Sequence, residues 1–140
     1  MTTHPVTIRP AVVDDSDFLR QHDSHVHRDV LIKLIDEGQI LVAVDAESVC
    51  GWLRWNLFWD EIPFMNMLFV VERLRGEGLG TALVAKWENS LRSQGFTTAM
   101  TSTQSDERAQ TFYRARGYRD CGVLLQPGEP SEIFMRKDLG

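Results

Sequence analysis

Three glycines fall within five residues, Gly76, Gly78 and Gly80, and Arg75 stands directly ahead of them. Glycine is costly at a helix start because it loses the most backbone entropy on folding. Such a cluster between an apolar run ("MNMLFVV") and a helical stripe suits a place where backbone N–H groups approach a phosphate. A helix start adds unpaired donors and the positive end of a dipole, and Arg75 can add a charge-assisted contact to the same anion. Two better-known phosphate loops do not fit. The chain has no G-x-x-x-x-G-K-[ST], and G-x-G-x-x-G fails because Thr81 and Leu83 occupy the third places. The competing account is a tight turn that lets helix and strand pack closely.

A second cluster, His22, Asp23, His25 and His27, has ligand types but irregular i, i+3, i+5 spacing with no further ligands nearby, so no metal site is read there. Cys50 and Cys121 belong to no metal-spaced pair and read as small buried hydrophobes in a reducing cytoplasm. The formal charge is -5 with acids and bases interleaved, which argues against a nucleic-acid partner. No apolar run approaches the ~20 residues that span a bilayer, and the amino terminus does not resemble a signal peptide.

The elements that must position these residues read as follows. At 140 residues, 43% hydrophobic and 25% charged, the chain suits one globular domain spanning 1–140. "VTIRP" predicts a first strand, "DDSDFLRQH" a short helix whose Asp/Ser caps are followed by Phe18 and Leu19. "HVHRDVLIKLIDEG" predicts a second helix with Val26, Val30, Leu31, Leu34 and Ile35 on one face, ended by Gly38. "QILVAV" and "VCGWLRWNLFW" form a hairpin, "DEIP" turns, and "FMNMLFVV" is the next strand. Leu79, Leu83, Trp87 and Leu91 stripe a helix from Gly78 to Ser93. "FTTAMTS" is a strand and "SDERAQTFYRARG" a helix with Ala109, Phe112 and Tyr113 inward. Strands at "CGVLL" and "EIFMRK" close the chain. The order predicts an α/β fold with a mixed sheet, in which the striped helix crosses over between two parallel strands.

The glycine segment resembles motif A of the GNAT superfamily of acetyl-CoA-dependent N-acetyltransferases, [RQ]-x-x-G-x-[GA], here Arg75, Gly78 and Gly80. It is preceded by an L-x-V strand end, Leu68, Phe69 and Val70. "TIRPAVVDD" is similar to the family's opening strand and first-helix cap. "AQTFYRARGY" is similar to its later helix, A-x-x-[FL]-Y-x-x-x-G-[FY]. The resemblance covers nearly the whole chain. It implies a single-domain GNAT fold, α/β (α+β), with a mostly antiparallel sheet of about seven strands and about four helices, splayed between the fourth and fifth strands.

It also implies direct transfer of an acetyl group from acetyl-CoA to a primary amine, with no metal. A non-catalytic acyl-CoA-binding or sensor module on the same fold is the alternative. Backbone groups of Leu68, Phe69 and Val70 would pair with pantetheine, and the N–H groups of Arg75, Gly76, Glu77, Gly78, Leu79, Gly80 and Thr81 would hold the pyrophosphate. Tyr113 occupies the family's usual place for the general acid that protonates the leaving thiolate. Asp106 stands where many relatives carry a cofactor-touching Asn, and it can cap the helix. Thr101 stands where the branch that acetylates protein amino termini often has a Glu, which turns the reading toward a small acceptor. For the base, Glu61 and its neighbour Asp60 are candidates, with Asn66 as a water holder and the histidines of "HDSHVH" as others. One face of "GWLRWNLFWDEIPF", with Trp52, Arg54, Asn56 and Phe58, reads as lining a cleft for an amine with an apolar body. The protein reads as cytoplasmic, without membrane partners. Its late strands could pair across a homodimer.

Overall fold

The structure, a computed structural model, describes residues 5–46 and 48–140. Its strands are β1 (Val6–Pro10), β2 (Ile40–Asp45), β3 (Ser48–Phe58), β4 (Ile62–Val70), β5 (Thr98–Gln104), β6 (Arg119–Leu124) and β7 (Glu132–Asp138). The helices are α1 (Ser16–His22), α2 (Arg28–Asp36), α3 (Leu79–Ser93) and α4 (Ala109–Ala115). All seven strands join one mixed sheet in the order β1-β2-β3-β4-β5-β7-β6. β1 with β2, β2 with β3, β5 with β7 and β6 with β7 are antiparallel, while β4 and β5 are parallel. Parallel neighbours cannot be joined by a tight turn, so α3 makes the crossover the sequence predicts. The register of β4 with β5 covers two rungs, Phe64↔Met100 and Met65↔Thr101. Beyond them β4 runs on to Val70 and β5 to Gln104 with no shared rung among the described residues.

The chain forms two compact units. One takes in the chain up to Asn56 together with Met67–Trp87; the other is Leu57–Asn66 with Glu88–Gly140. In the first, Leu19 of α1 and Leu31, Leu34 and Ile35 of α2 bury against Ile40, Val42 and Trp52. Val30 falls off that stripe and is 50% exposed, contrary to expectation. In the second, Met65, Leu91, Ala99, Met100, Tyr113, Tyr118 and Met135 are buried. β6 lies at the sheet edge with all six of its residues exposed. Cys121 on it is exposed too, correcting the expectation that both cysteines are buried; Cys50 is buried, and both thiols are free.

Three helices stop in the same way. Past α2, Gly38 adopts φ +73°, its N–H donates to the Ile35 carbonyl and the next N–H, of Gln39, donates to that of Leu34. Gly95 after α3 and Gly117 after α4 repeat the pattern at φ +92° and +93°. This pair of bonds satisfies the last carbonyls of a helix and needs a left-handed residue, so glycine is selected. Two boundaries differ from expectation. The β3–β4 reversal is a type I′ turn in which Glu61 N–H donates to the Phe58 carbonyl at 3.1 Å, with Trp59 and Asp60 at φ +57° and +60°. β4 therefore begins at Ile62, inside the predicted turn. α4 begins at Ala109, later than the Ser/Asp start suggests.

Candidate active site

In the first unit, the segment from the end of β4 to the start of α3 is shaped by its backbone. A 3-10 turn over Glu72–Leu74 uses the Arg75 amide, which donates to the Glu72 carbonyl at 3.1 Å. The Arg75 N–H is thus already satisfied, and the row of amides expected to face an anion begins after it. Gly76 and Gly78 follow at φ +82° and +86°, the left-handed region where L side chains are strained. A Cβ added at either would meet nothing within 4 Å, so the space beside them is open. The Gly78 carbonyl accepts the first helical bond, from Ala82 N–H at 3.0 Å. The amides of Leu79 and Gly80 come before that bond, where a helix has no carbonyl of its own to offer. No acidic residue lies in the first turn of α3 to compete for these donors. Glu77 sits in the turn, exposed.

β4 presents its peptide groups to two sides. Val71 N–H donates to the Cys50 carbonyl on β3 at 2.9 Å, and the Phe69 carbonyl lies 3.0 Å from where a Cβ on Gly51 would stand. Those groups point at β3. Strand alternation therefore turns the peptide groups of Leu68 and Val70 to the opposite edge. Arg75 meets that edge: its Nε donates to the Val70 carbonyl at 2.9 Å and its guanidinium lies 5.3 Å from the centre of the Phe69 ring. Gly51 is a residue the sequence reading passed over. Its added Cβ would also come within 3.4 Å of Leu83 on α3, so only glycine lets β3, the end of β4 and α3 pack this closely.

In the second unit, Tyr113 is the inward residue of α4, 7% exposed. Its ring meets Tyr118 edge-on at 5.9 Å, because the helix stop at Gly117 folds Tyr118 back over the last turn. Tyr118 is held in turn by its hydroxyl, which donates to Glu88 at 2.9 Å, and Lys137 donates to the same carboxylate at 2.7 Å. Burial pushes the Tyr113 phenol above its ordinary value; a hydrogen bond with Thr101 partly offsets this and the nearby Glu107 charge adds to it. The phenol therefore keeps its proton at neutral pH. Thr101 is itself buried, and its hydroxyl donates to the Met65 carbonyl at 3.0 Å, at the last shared rung of β4 and β5. That link between the tyrosine and the shared rung carries no signal in residue type alone.

The remaining candidates are scattered. Asn66 is exposed on β4 just past the last shared rung. Glu61 and Asp60 lie exposed in the β3–β4 turn, about 16 Å of strand back from Asn66 at ~3.3 Å per residue. Asp106 lies exposed in the turn before α4, whose N-cap position is Arg108 with no side-chain cap bond, so Asp106 does not cap the helix. Of the β3 face expected to line a cleft, Trp52 belongs to the apolar core and Arg54 pairs with Asp23, whereas Asn56 is exposed and Phe58 borders an open pocket with Trp59, Ile62 and Phe134. Among the described residues no group of three His, Cys, Asp or Glu could hold a metal ion, and no helix is long and apolar enough to cross a membrane.

The decisive comparison is with families. The profile of the Acetyltransferase (GNAT) family matches residues 9–118. The chain belongs to the GNAT acetyltransferase family. A search among curated protein sequences found no match. Among solved structures, this GNAT chain is similar to Ard1 from Thermoplasma volcanium at 20% identity, over 95% of this chain and 97% of that one, with a TM-score of 0.82. It is similar to yncA from Salmonella typhimurium, solved with acetyl-CoA, at 18% identity over 97% and 95%, TM-score 0.81. It is also similar to the ribosomal-protein-S18-alanine N-acetyltransferase from Escherichia coli at 14% identity over 97% and 95%, TM-score 0.80. At these identities the likeness is one of fold.

Proposed function

We propose that this GNAT protein is an N-acetyltransferase that moves an acetyl group from acetyl-CoA directly to the primary amine of a small acceptor. The observation that carries the reading is the pair of left-handed glycines facing open space at the start of α3, directly after a strand whose Leu68 and Val70 peptide groups face away from β3. Acetyl-CoA supplies the thioester. Its diphosphate is assigned to the amides from Gly76 to Thr81 and its pantetheine to the backbone of Leu68 and Val70. The Arg75 guanidinium braces the strand end and lends positive charge. Tyr113 is the acid: buried, oriented and protonated, it has the proton that a leaving thiolate needs. Asn66 is the water holder. Glu61, so far back along the strand, would act only through a relay of water. Two free thiols support a reducing, cytoplasmic setting.

The test has two arms. Titration with coenzyme A is expected to release or absorb heat and to raise the melting temperature, since a ligand at 100 times its Kd adds ~2.7 kcal/mol of apparent stability. A panel of small primary amines, read by release of free thiol, is then expected to show turnover. Silence in the first arm removes the cradle, and binding without turnover favours a sensor module.

A further inference from the structure

Glu88 on α3 is a carboxylate that the proposed chemistry does not use, yet it is only 4% exposed. A buried charge of this kind needs donors, and each of its oxygens has one. Lys137 on β7 donates to Oε1 at 2.7 Å and the Tyr118 hydroxyl donates to Oε2 at 2.9 Å, while an Arg92 nitrogen stands 3.8 Å from Oε1. Such an arrangement is a poor device for stability, because the cost of taking both charges out of water largely cancels their attraction. What it does provide is direction: a charge-assisted bond at one fixed oxygen leaves the Tyr118 ring one place to lie. The Lys137 ammonium also lies 5.7 Å from the centre of that ring, and its Cε is 3.4 Å from where a Cβ on Gly117 would stand.

Tyr118 passes this constraint to Tyr113. Its N–H donates to the Tyr113 carbonyl at 3.1 Å, and its ring stands edge-on to the Tyr113 ring at 5.9 Å and 63°. One residue therefore holds Tyr113 by both main chain and side chain, and both rings are buried. The helix restricts χ1 of Tyr113 but leaves the tilt of its ring to whatever packs against it.

We propose that Tyr118, anchored on Glu88, is a positioning residue that holds the Tyr113 phenol where it can protonate the leaving thiolate. The assignment rests on the acetyltransferase reading above. A general acid works only within hydrogen-bond reach of the atom it protonates, and a misplacement of about 1 Å can cost ~10²-fold in rate. Tyr118 touches neither cofactor nor amine in this assignment; it acts through Tyr113.

The test is a double-mutant cycle on kcat with an amine found in the panel. Tyr118→Phe keeps the ring and removes the hydroxyl, leaving Glu88 paired with Lys137. It is expected to lower kcat about 5- to 50-fold, within the coupling range of residues in contact, while the Kd for coenzyme A and the KM for the amine stay within about twofold. In a Tyr113→Phe background the same substitution should cost less than about twofold, since no phenol is left to position. A merely structural role would cost the same in both backgrounds. Glu88→Leu combined with Lys137→Met removes the anchor by another route and leaves neither charge buried alone. That pair should reproduce the kcat loss without lowering the midpoint of urea unfolding. Wild-type kcat in Tyr118→Phe or in the paired variant, or a loss that persists in full without the phenol, overturns the positioning role and leaves the enzyme reading intact. A Tyr113→Phe enzyme with undiminished kcat, or a wild type that binds coenzyme A and acetylates no amine, overturns the reading on which the inference rests, and the inference with it.

Discussion

Two glycines of the first unit allow the anion cradle to be tested against plain backbone strain. Gly78 at the start of α3 and Gly38 past the end of α2 have nearly the same left-handed φ, +86° and +73°, and a Cβ at either would meet nothing within 4 Å. Alanine at either position therefore bears the same conformational cost, ~1–2 kcal/mol, offset in part by the ~0.4–1 kcal/mol that alanine gains by restricting the unfolded chain. Each variant should lose about 1 kcal/mol and melt about 3–5 °C lower. Their binding should differ. The methyl group at Gly78 enters the space assigned to a diphosphate, and a hydrogen bond to a charged group contributes ~1.5–3 kcal/mol. Loss of one such bond weakens binding by about 10- to 150-fold. Calorimetric titration with coenzyme A should accordingly show a loss of that size for Gly78→Ala and less than about twofold for Gly38→Ala. Equal affinities in the two variants would refute the cradle, because the strain would be shared and nothing specific to Gly78 would remain.

Gly51→Ala makes the opposite kind of change, because its Cβ would press on the Phe69 carbonyl at 3.0 Å, and that backbone cannot yield without moving the end of β4. We expect overpacking to cost ~1–3 kcal/mol in urea unfolding and to weaken coenzyme A binding as well; unaltered affinity would show that the alignment of β4 does not matter. Tyr113→Phe should lower kcat by ~10²–10⁴ with coenzyme A affinity preserved, and an undiminished kcat would remove the phenol from the chemistry. Because burial raises the Tyr113 phenol above its ordinary value, its acid form persists as pH rises from 7 to 9. A kcat profile in that range should have no descending limb that Tyr113→Phe abolishes.

Much of the fold was legible because it rests on local signals. The helix stops illustrate this: the bonds that end α2, α3 and α4 need a residue at φ near +73° to +93°, and Gly38, Gly95 and Gly117 stand at those places. The later-helix pattern with its final Gly-Tyr has the same cause, since the residue after the left-handed glycine turns back onto the helix and Tyr118 meets Tyr113. Reversals were harder. Trp59 and Asp60 occupy a turn whose φ values normally favour Asn-Gly, so residue type pointed one or two places too far along, to "DEIP". Val30 was misassigned because a nine-residue helix has room for a narrower stripe than the five apolar positions suggested.

The site was legible only where chemistry shows in residue type. Gly76 and Gly78 advertise themselves, whereas the direction of a peptide group does not. Leu68, Phe69 and Val70 look alike as an apolar strand end, yet the close approach of Phe69 to Gly51 and the Val71–Cys50 bond turn alternate groups toward β3. Only the neighbouring strand determines which two of the three face outward. Thr101 makes the same point. As a residue type it is a poor base, and on that ground it weighed against one class of substrate. In the fold its hydroxyl joins Tyr113 to the last rung shared by β4 and β5, a role that depends on who its neighbours are.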